Sequence, residues 1–125
     1  MRGKLVGAGF LAVSALALAD QPRAEPLPIE IGACSETTIA DIGYRLGEPD
    51  TGSAISYDNG GGQVFYDTIP EIHRSEVGDA VQLCLVSVPE DCPPGDDRGK
   101  IYRATNLRTG ESWEAPDSQH SCGGA

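Results

Sequence analysis

Four cysteines, Cys34, Cys84, Cys92 and Cys122, all lie beyond residue 33 in a chain of 125. No other feature limits the fold as tightly. The large aromatic residues of this part, Tyr44, Tyr57, Phe65, Tyr66, Tyr102 and Trp113, are few, and Trp113 and the tyrosines are expected to serve mainly as core. A domain so thinly supplied gains from covalent support. In an exported chain of this size, an even number of cysteines implies a disulfide framework.

Export is what the first residues indicate. Arg2 and Lys4 precede an uncharged apolar run, Leu5 to Ala19, which closes on Ala17-Leu18-Ala19. That order is the one a secretory signal peptide uses, and residues 1–19 are read as such. The run is shorter than the ~20 residues of a membrane-spanning helix. Asp20 and Pro22 prevent its extension. Residues 20–33, with Pro22, Pro26 and Pro28, read as a flexible linker, because proline resists regular pairing. Residues 34–125 read as one domain. Ile31-Gly32-Ala33-Cys34 has the look of a lipid-attachment box, but it does not directly follow the apolar run. Cys34 is therefore read as an ordinary cysteine of a soluble protein.

Four cysteines permit several pairings. Spacing along the chain favours Cys84–Cys92 across a short loop, with Cys34–Cys122 tying the start of the domain to its end. In the chain-entropy account the long closure is worth about 4–5 kcal/mol and the short one about 2–3 kcal/mol. No CxxC or HxxxH spacing is present, and His73 is remote from His120-Ser121-Cys122. Metal centres need several converging ligands. Neither a metal nor a cofactor is expected.

Removing Arg2 and Lys4 with the signal leaves seven basic residues against 19 acidic ones, a net charge of −12. Such a field repels nucleic acid and anionic lipid and attracts cationic proteins.

The residue pattern is that of short strands. Ile42, Tyr44 and Leu46 keep a period of two within Thr37–Leu46. A short helix near Glu36–Ile39, capped by Ser35, competes with that strand's start. Ser53–Tyr57 and Gln63–Ile69 flank Asn59-Gly60, a hairpin signal because both residues tolerate positive φ. Val81–Val88 is apolar on both faces, which predicts a central strand or one bulged near Leu85. Ile101–Asn106 and Glu111–Ala115 form a second hairpin, with Gly110 at its left-handed position. With no sustained helical periodicity, the expected fold is all-β: a small antiparallel barrel or sandwich of five or six strands, stapled by disulfides.

Chemistry-bearing constellations are scarce. Asp117, Ser118, His120 and Ser121 are neighbours in sequence, but triads are built in space, and no G-x-S-x-G is present. The most eventful stretch is Cys92-Pro93-Pro94-Gly95-Asp96-Asp97-Arg98-Gly99-Lys100. Asp91, Asp96 and Asp97 lack the alternation of a dedicated calcium loop. The stretch reads as a solvated turn fixed by Cys92, with Arg98 as local partner of the aspartates. Asp91, Asp96, Asp97 and Arg98 are the candidate binding residues. In general outline the chain resembles bacterial periplasmic inhibitors of lysozyme, an architectural analogy with no shared motif and no residue carried over. The expected function is a non-catalytic periplasmic or secreted module that binds a basic protein, or inhibits a cationic enzyme. The alternatives are a structural domain of the cell envelope, held by self-association, and a small hydrolase centred on His73 or His120.

Overall fold

The computed structural model describes residues 24–124. The expected signal peptide lies outside them. Six strands follow in chain order: β1 (Cys34–Tyr44), β2 (Ser53–Tyr57), β3 (Gly62–Phe65), β4 (Ala80–Ser87), β5 (Ile101–Asn106) and β6 (Ser112–Pro116). A single helical turn, α1 (Pro70–His73), lies between β3 and β4. Proline at its start suits α1, because the amide it lacks has no helical partner there.

All neighbouring strands are antiparallel, in the order β3-β2-β1-β4-β5-β6. The long strand β1 sets the shape. Its first half, Cys34–Thr38, pairs with β4, and its second half, Ile39–Tyr44, pairs with β2. An irregularity between Ile39 and Asp41 separates the two, and a second lies between Leu85 and Ser87 of β4. Bulges bend a strand and increase its twist. The sheet accordingly curls into a half-barrel, and its edge strands β3 and β6 approach without forming a ladder.

Gln63 bridges that seam. Its Nε2 donates to Tyr102 O at 2.8 Å and to Ala115 O at 3.1 Å. Its Oε1 accepts from Tyr57 OH at 2.6 Å and from Trp113 Nε1 at 2.9 Å. A primary amide offers two donors and one oxygen with two lone pairs, so this buried side chain is fully satisfied. Burial also pushes the Tyr57 phenol well above its ordinary pKa.

The core lies on the concave face. Ile39, Ile55, Tyr57, Ile72, Val81, Leu83, Leu85, Tyr102, Ala104 and Trp113 form one cluster. Val81, Leu83 and Leu85 point inward along β4, which decides the face that its two-sided pattern leaves open. Segment 24–33 lies against the sheet rather than standing off as a linker. Glu25 N donates to Glu36 O at 2.8 Å, Gly32 N donates to Leu85 O at 2.8 Å, and Leu27 packs on the core. The start of β1 is strand, not helix: Ser35, Thr37 and Ile39 alternate inward with Glu36 outward.

The disulfides join Cys34 to Cys84 and Cys92 to Cys122. This corrects the pairing favoured by spacing. The β1–β4 register sets Cys34 directly opposite Cys84, so those two sulfurs meet across adjacent strands. Cys84 sits within β4, between the inward residues Leu83 and Leu85. Cys92 follows in a separate loop that runs against the C-terminal tail, where Cys122 lies. The fold is the expected disulfide-stapled, antiparallel all-β one, with six strands.

Candidate functional site

Loop 88–100 and tail 117–124 form one unit. Cys92–Cys122 joins them, and Cys122 N donates to Arg98 O at 2.7 Å. Gly99 N donates to Asp117 Oδ1 at 2.8 Å. At Gly99, φ is +112° and a Cβ would lie 3.2 Å from Ser121 Cα, so the two segments approach as only glycine permits.

Within this unit the candidate binding residues separate. Arg98 Nε and Nη2 donate to Asp96 Oδ1 and Oδ2 at 2.8 Å and 2.9 Å. Gly123 N donates to the same carboxylate at 3.0 Å. The Arg98 guanidinium, aided by that amide, holds the Asp96 carboxyl well below the usual carboxylate range. Asp97 turns instead to Lys100 Nζ, 2.6 Å away, which lowers its pKa as well. Asp91 is exposed, has positive φ (58°) and joins neither pair. The structure thus brings Asp96 and Arg98 together and leaves Asp91 and Asp97 apart from them. Two of the three carboxylates face cations of their own loop.

A second polar group closes one end of the half-barrel. Arg108 Nε and Nη2 donate to Asp79 Oδ1 and Oδ2 at 2.7 Å and 3.0 Å. Asn106 Nδ2 donates to Asp79 Oδ2 at 2.9 Å and to Ser75 Oγ at 2.8 Å. The Arg108 guanidinium, with Asn106 and the Glu76 amide, holds Asp79 well below the usual range despite the burial that opposes it. Asn106 Oδ1 also accepts from Arg108 N and Thr109 N, fixing the β5–β6 turn. Ser75 Oγ donates onward to Glu71 O at 3.1 Å, so the network joins the α1 turn, the segment before β4 and the β5–β6 turn as a structural lock.

His73 and His120 are far from equivalent. His73 Nε2 is hydrogen-bonded to Ser53 Oγ at 2.9 Å, and its ring stacks on Tyr44 with centroids 4.7 Å apart. Ser53 is wholly buried and also accepts from Ile69 N at 2.8 Å. This pairing seats α1 on β2. His120 is exposed in the tail, and its amide donates to Ser118 Oγ at 3.2 Å.

The aromatic residues divide by position. Tyr57, Tyr102 and Trp113 are core, whereas Tyr44, Phe65 and Tyr66 are exposed at one end of β1–β3. The register pairs Tyr44 with Ser53 and Ser53 with Phe65, so these three share one face at the ends of their strands. Arg45 and Tyr66 are the next residues along, and the Arg45 guanidinium lies 4.3 Å from the Tyr66 ring centroid. Arg45 is held from below by Thr51 O at 2.6 Å and Gln119 Oε1 at 3.1 Å. Gly52 locks the β1–β2 loop onto this end: φ is +110°, and a Cβ there would fall 2.0 Å from Phe65 O. The sequence pattern points Tyr44 and Tyr66, like the other tyrosines, to the core. Their place at strand ends, beside Gly47-Glu48-Pro49-Asp50, is the signal that separates them from Tyr57 and Trp113.

Among the described residues no His, Cys, Asp and Glu groups converge as metal ligands would, and no pocket is present. No helix among them is long and apolar enough to cross a membrane. Compared with known proteins, the chain matches no family model, no curated protein and no solved structure.

Proposed function

We propose that this chain is a small exported, non-catalytic module that binds a basic protein, inhibition of a cationic enzyme being the sharpest form of that role. One observation carries the reading, the distribution of its charges. Among the described residues Arg74, Arg98, Lys100, Arg103 and Arg108 all form ion pairs with carboxylates of this chain. The remaining cation, Arg45, is covered by Tyr66, Thr51 and Gln119. The basic residues among those described are therefore spent internally, and the surplus of acidic ones faces outward. A surface of that kind steers cationic partners toward it and repels anionic ones. Two disulfides are compatible with an oxidising compartment outside the cytosol.

The test is binding of the exported protein to immobilised lysozyme and cytochrome c, both basic, at low and high salt. Retention of at least one at low salt and release at high salt is the expected result. Absence of binding to both, or binding indifferent to salt, would overturn the reading.

A further inference from the structure

The proposed role does not say which surface meets the partner, and the sequence points to loop 88–100. We infer instead that the contact face is the aromatic end of β1–β3, formed by Tyr44, Leu46, Phe65 and Tyr66, and that it takes a basic protein whose apolar contact centre is ringed by lysine or arginine. This inference rests on the function proposed above.

The first argument is what this end exposes. Leu46 is 60% exposed, Tyr66 53%, Phe65 37% and Tyr44 36%, even with the His73 ring stacked on Tyr44 and the Arg45 guanidinium over Tyr66. Isolated exposed apolar residues are ordinary; neighbouring ones at one end of a small domain are not. Tyrosine and arginine are over-represented among residues that dominate binding energy, and both occur here.

The second argument is rigidity. Gly52 presses the β1–β2 loop onto the backbone of residues 65 and 66. His73 stacks on Tyr44 while bonded to buried Ser53. Tyr66 OH donates to Gln119 O at 3.1 Å. Side chains held in place before binding lose less entropy when a partner arrives.

The third argument is charge, and it selects the occupant. Glu48 and Asp50 lie in the loop beside Leu46, and Asp67 follows Tyr66. None of the three forms an ion pair among the described residues. An apolar centre with a charged rim is ordinary interface anatomy. Here the rim is acidic, which disfavours a second copy of this chain and favours a basic partner. Loop 88–100 offers less, because Asp96 and Asp97 already face Arg98 and Lys100.

The experiment uses the exported, oxidised protein, isotope-labelled, titrated with lysozyme and, separately, with a cationic peptide of alternating leucine and lysine. Amide shifts are expected at residues 44–50 and 65–67. Leu46→Ser with Tyr66→Ser should weaken binding about tenfold or more, as loss of a central contact does. Asp96→Asn with Asp97→Asn should change it less than about twofold, as rim charges commonly do. Glu48→Gln, Asp50→Asn and Asp67→Asn together should flatten the salt dependence. Shifts confined to residues 88–100, with the Asp96/Asp97 pair of substitutions abolishing binding, would overturn this face and leave the proposed role standing. Self-association through residues 44–50 in place of binding would also overturn it. No binding of either probe would overturn role and face together. Unchanged melting temperatures of the variants exclude misfolding as the cause.

Discussion

Gln63 shows how much one polar side chain can hold in an open barrel. Strands β3 and β6 share no backbone ladder; three of the four hydrogen bonds of Gln63 tie β3 to β5 and β6 in its place, and the fourth holds Tyr57 of β2. Replacing it leaves the Tyr57 phenol and the Trp113 indole N–H without this partner inside the core and removes a second donor from Tyr102 O and Ala115 O, which keep their place in the β5–β6 ladder. Each buried orphan costs about 1–3 kcal/mol. Gln63→Ala should therefore lose about 3 kcal/mol or more. Gln63→Leu restores most of the volume but none of the bonds, so it should lose nearly as much. Urea unfolding followed by the fluorescence of Trp113, the single tryptophan, measures both. A leucine variant as stable as the parent would mean that filled space, not bonding, closes the seam. The importance of this residue was not legible in the sequence. In Gly62-Gln63-Val64-Phe65 the more apolar neighbours draw attention, and only the register opposite Ile55 turns Gln63 inward. The tyrosines are a similar case. Local alternation says which residues share a face, but not how far along the strand the core extends.

At the scale of elements much more was readable. The β2–β3 and β5–β6 hairpins follow from Asn59-Gly60 and Gly110, whose glycines have φ of +88° and +78°. The irregularity in β4 falls near Leu85, where both faces of the strand turn apolar. The disulfides were not readable, because spacing along the chain carries no information on which strands lie side by side. Their placement gives them different duties. Cys34–Cys84 joins strands that already share a ladder. Cys92–Cys122 joins two segments without strand structure, so it does work that no ladder duplicates. Replacing Cys92 and Cys122 together by serine should cost up to about 4 kcal/mol in the chain-entropy account. The loosening should also be local. Hydrogen exchange should quicken at Gly99, Gly123 and residue 122, while Leu83 and Ala104 in the centre of the sheet keep their protection. Equal loss of protection in β4 and β5 would show that the loop and tail are part of the same cooperative unit as the sheet.

At the scale of the whole molecule, charge is the dominant property, and the sequence states it outright: 19 acidic residues against nine basic ones before any signal is removed. What composition could not show is how the few cations are used. Five of them sit in internal ion pairs, three of which are half-exposed or more on at least one partner. Exposed pairs contribute little, about 0–1 kcal/mol each, and salt weakens them. The unpaired carboxylates repel one another over longer distances, and salt weakens that too. The two effects oppose each other, and their sizes decide the outcome. Screening acts over about 30 Å at 0.01 M salt and about 8 Å at 0.15 M. The contact pairs are shorter than either length, whereas carboxylates on different loops are spaced on the scale of the domain itself, whose radius of gyration at this size is about 13 Å. Raising sodium chloride over that range should therefore remove more repulsion than attraction. The melting temperature should rise by several degrees, since about 1 kcal/mol moves a domain of this size by roughly 4–8 °C. Thermal unfolding followed by circular dichroism measures it directly. A melting temperature that fell with salt would mean that the internal ion pairs outweigh the repulsion. The outward negative field on which the proposed partner depends would then be weaker than the count of acidic residues implies.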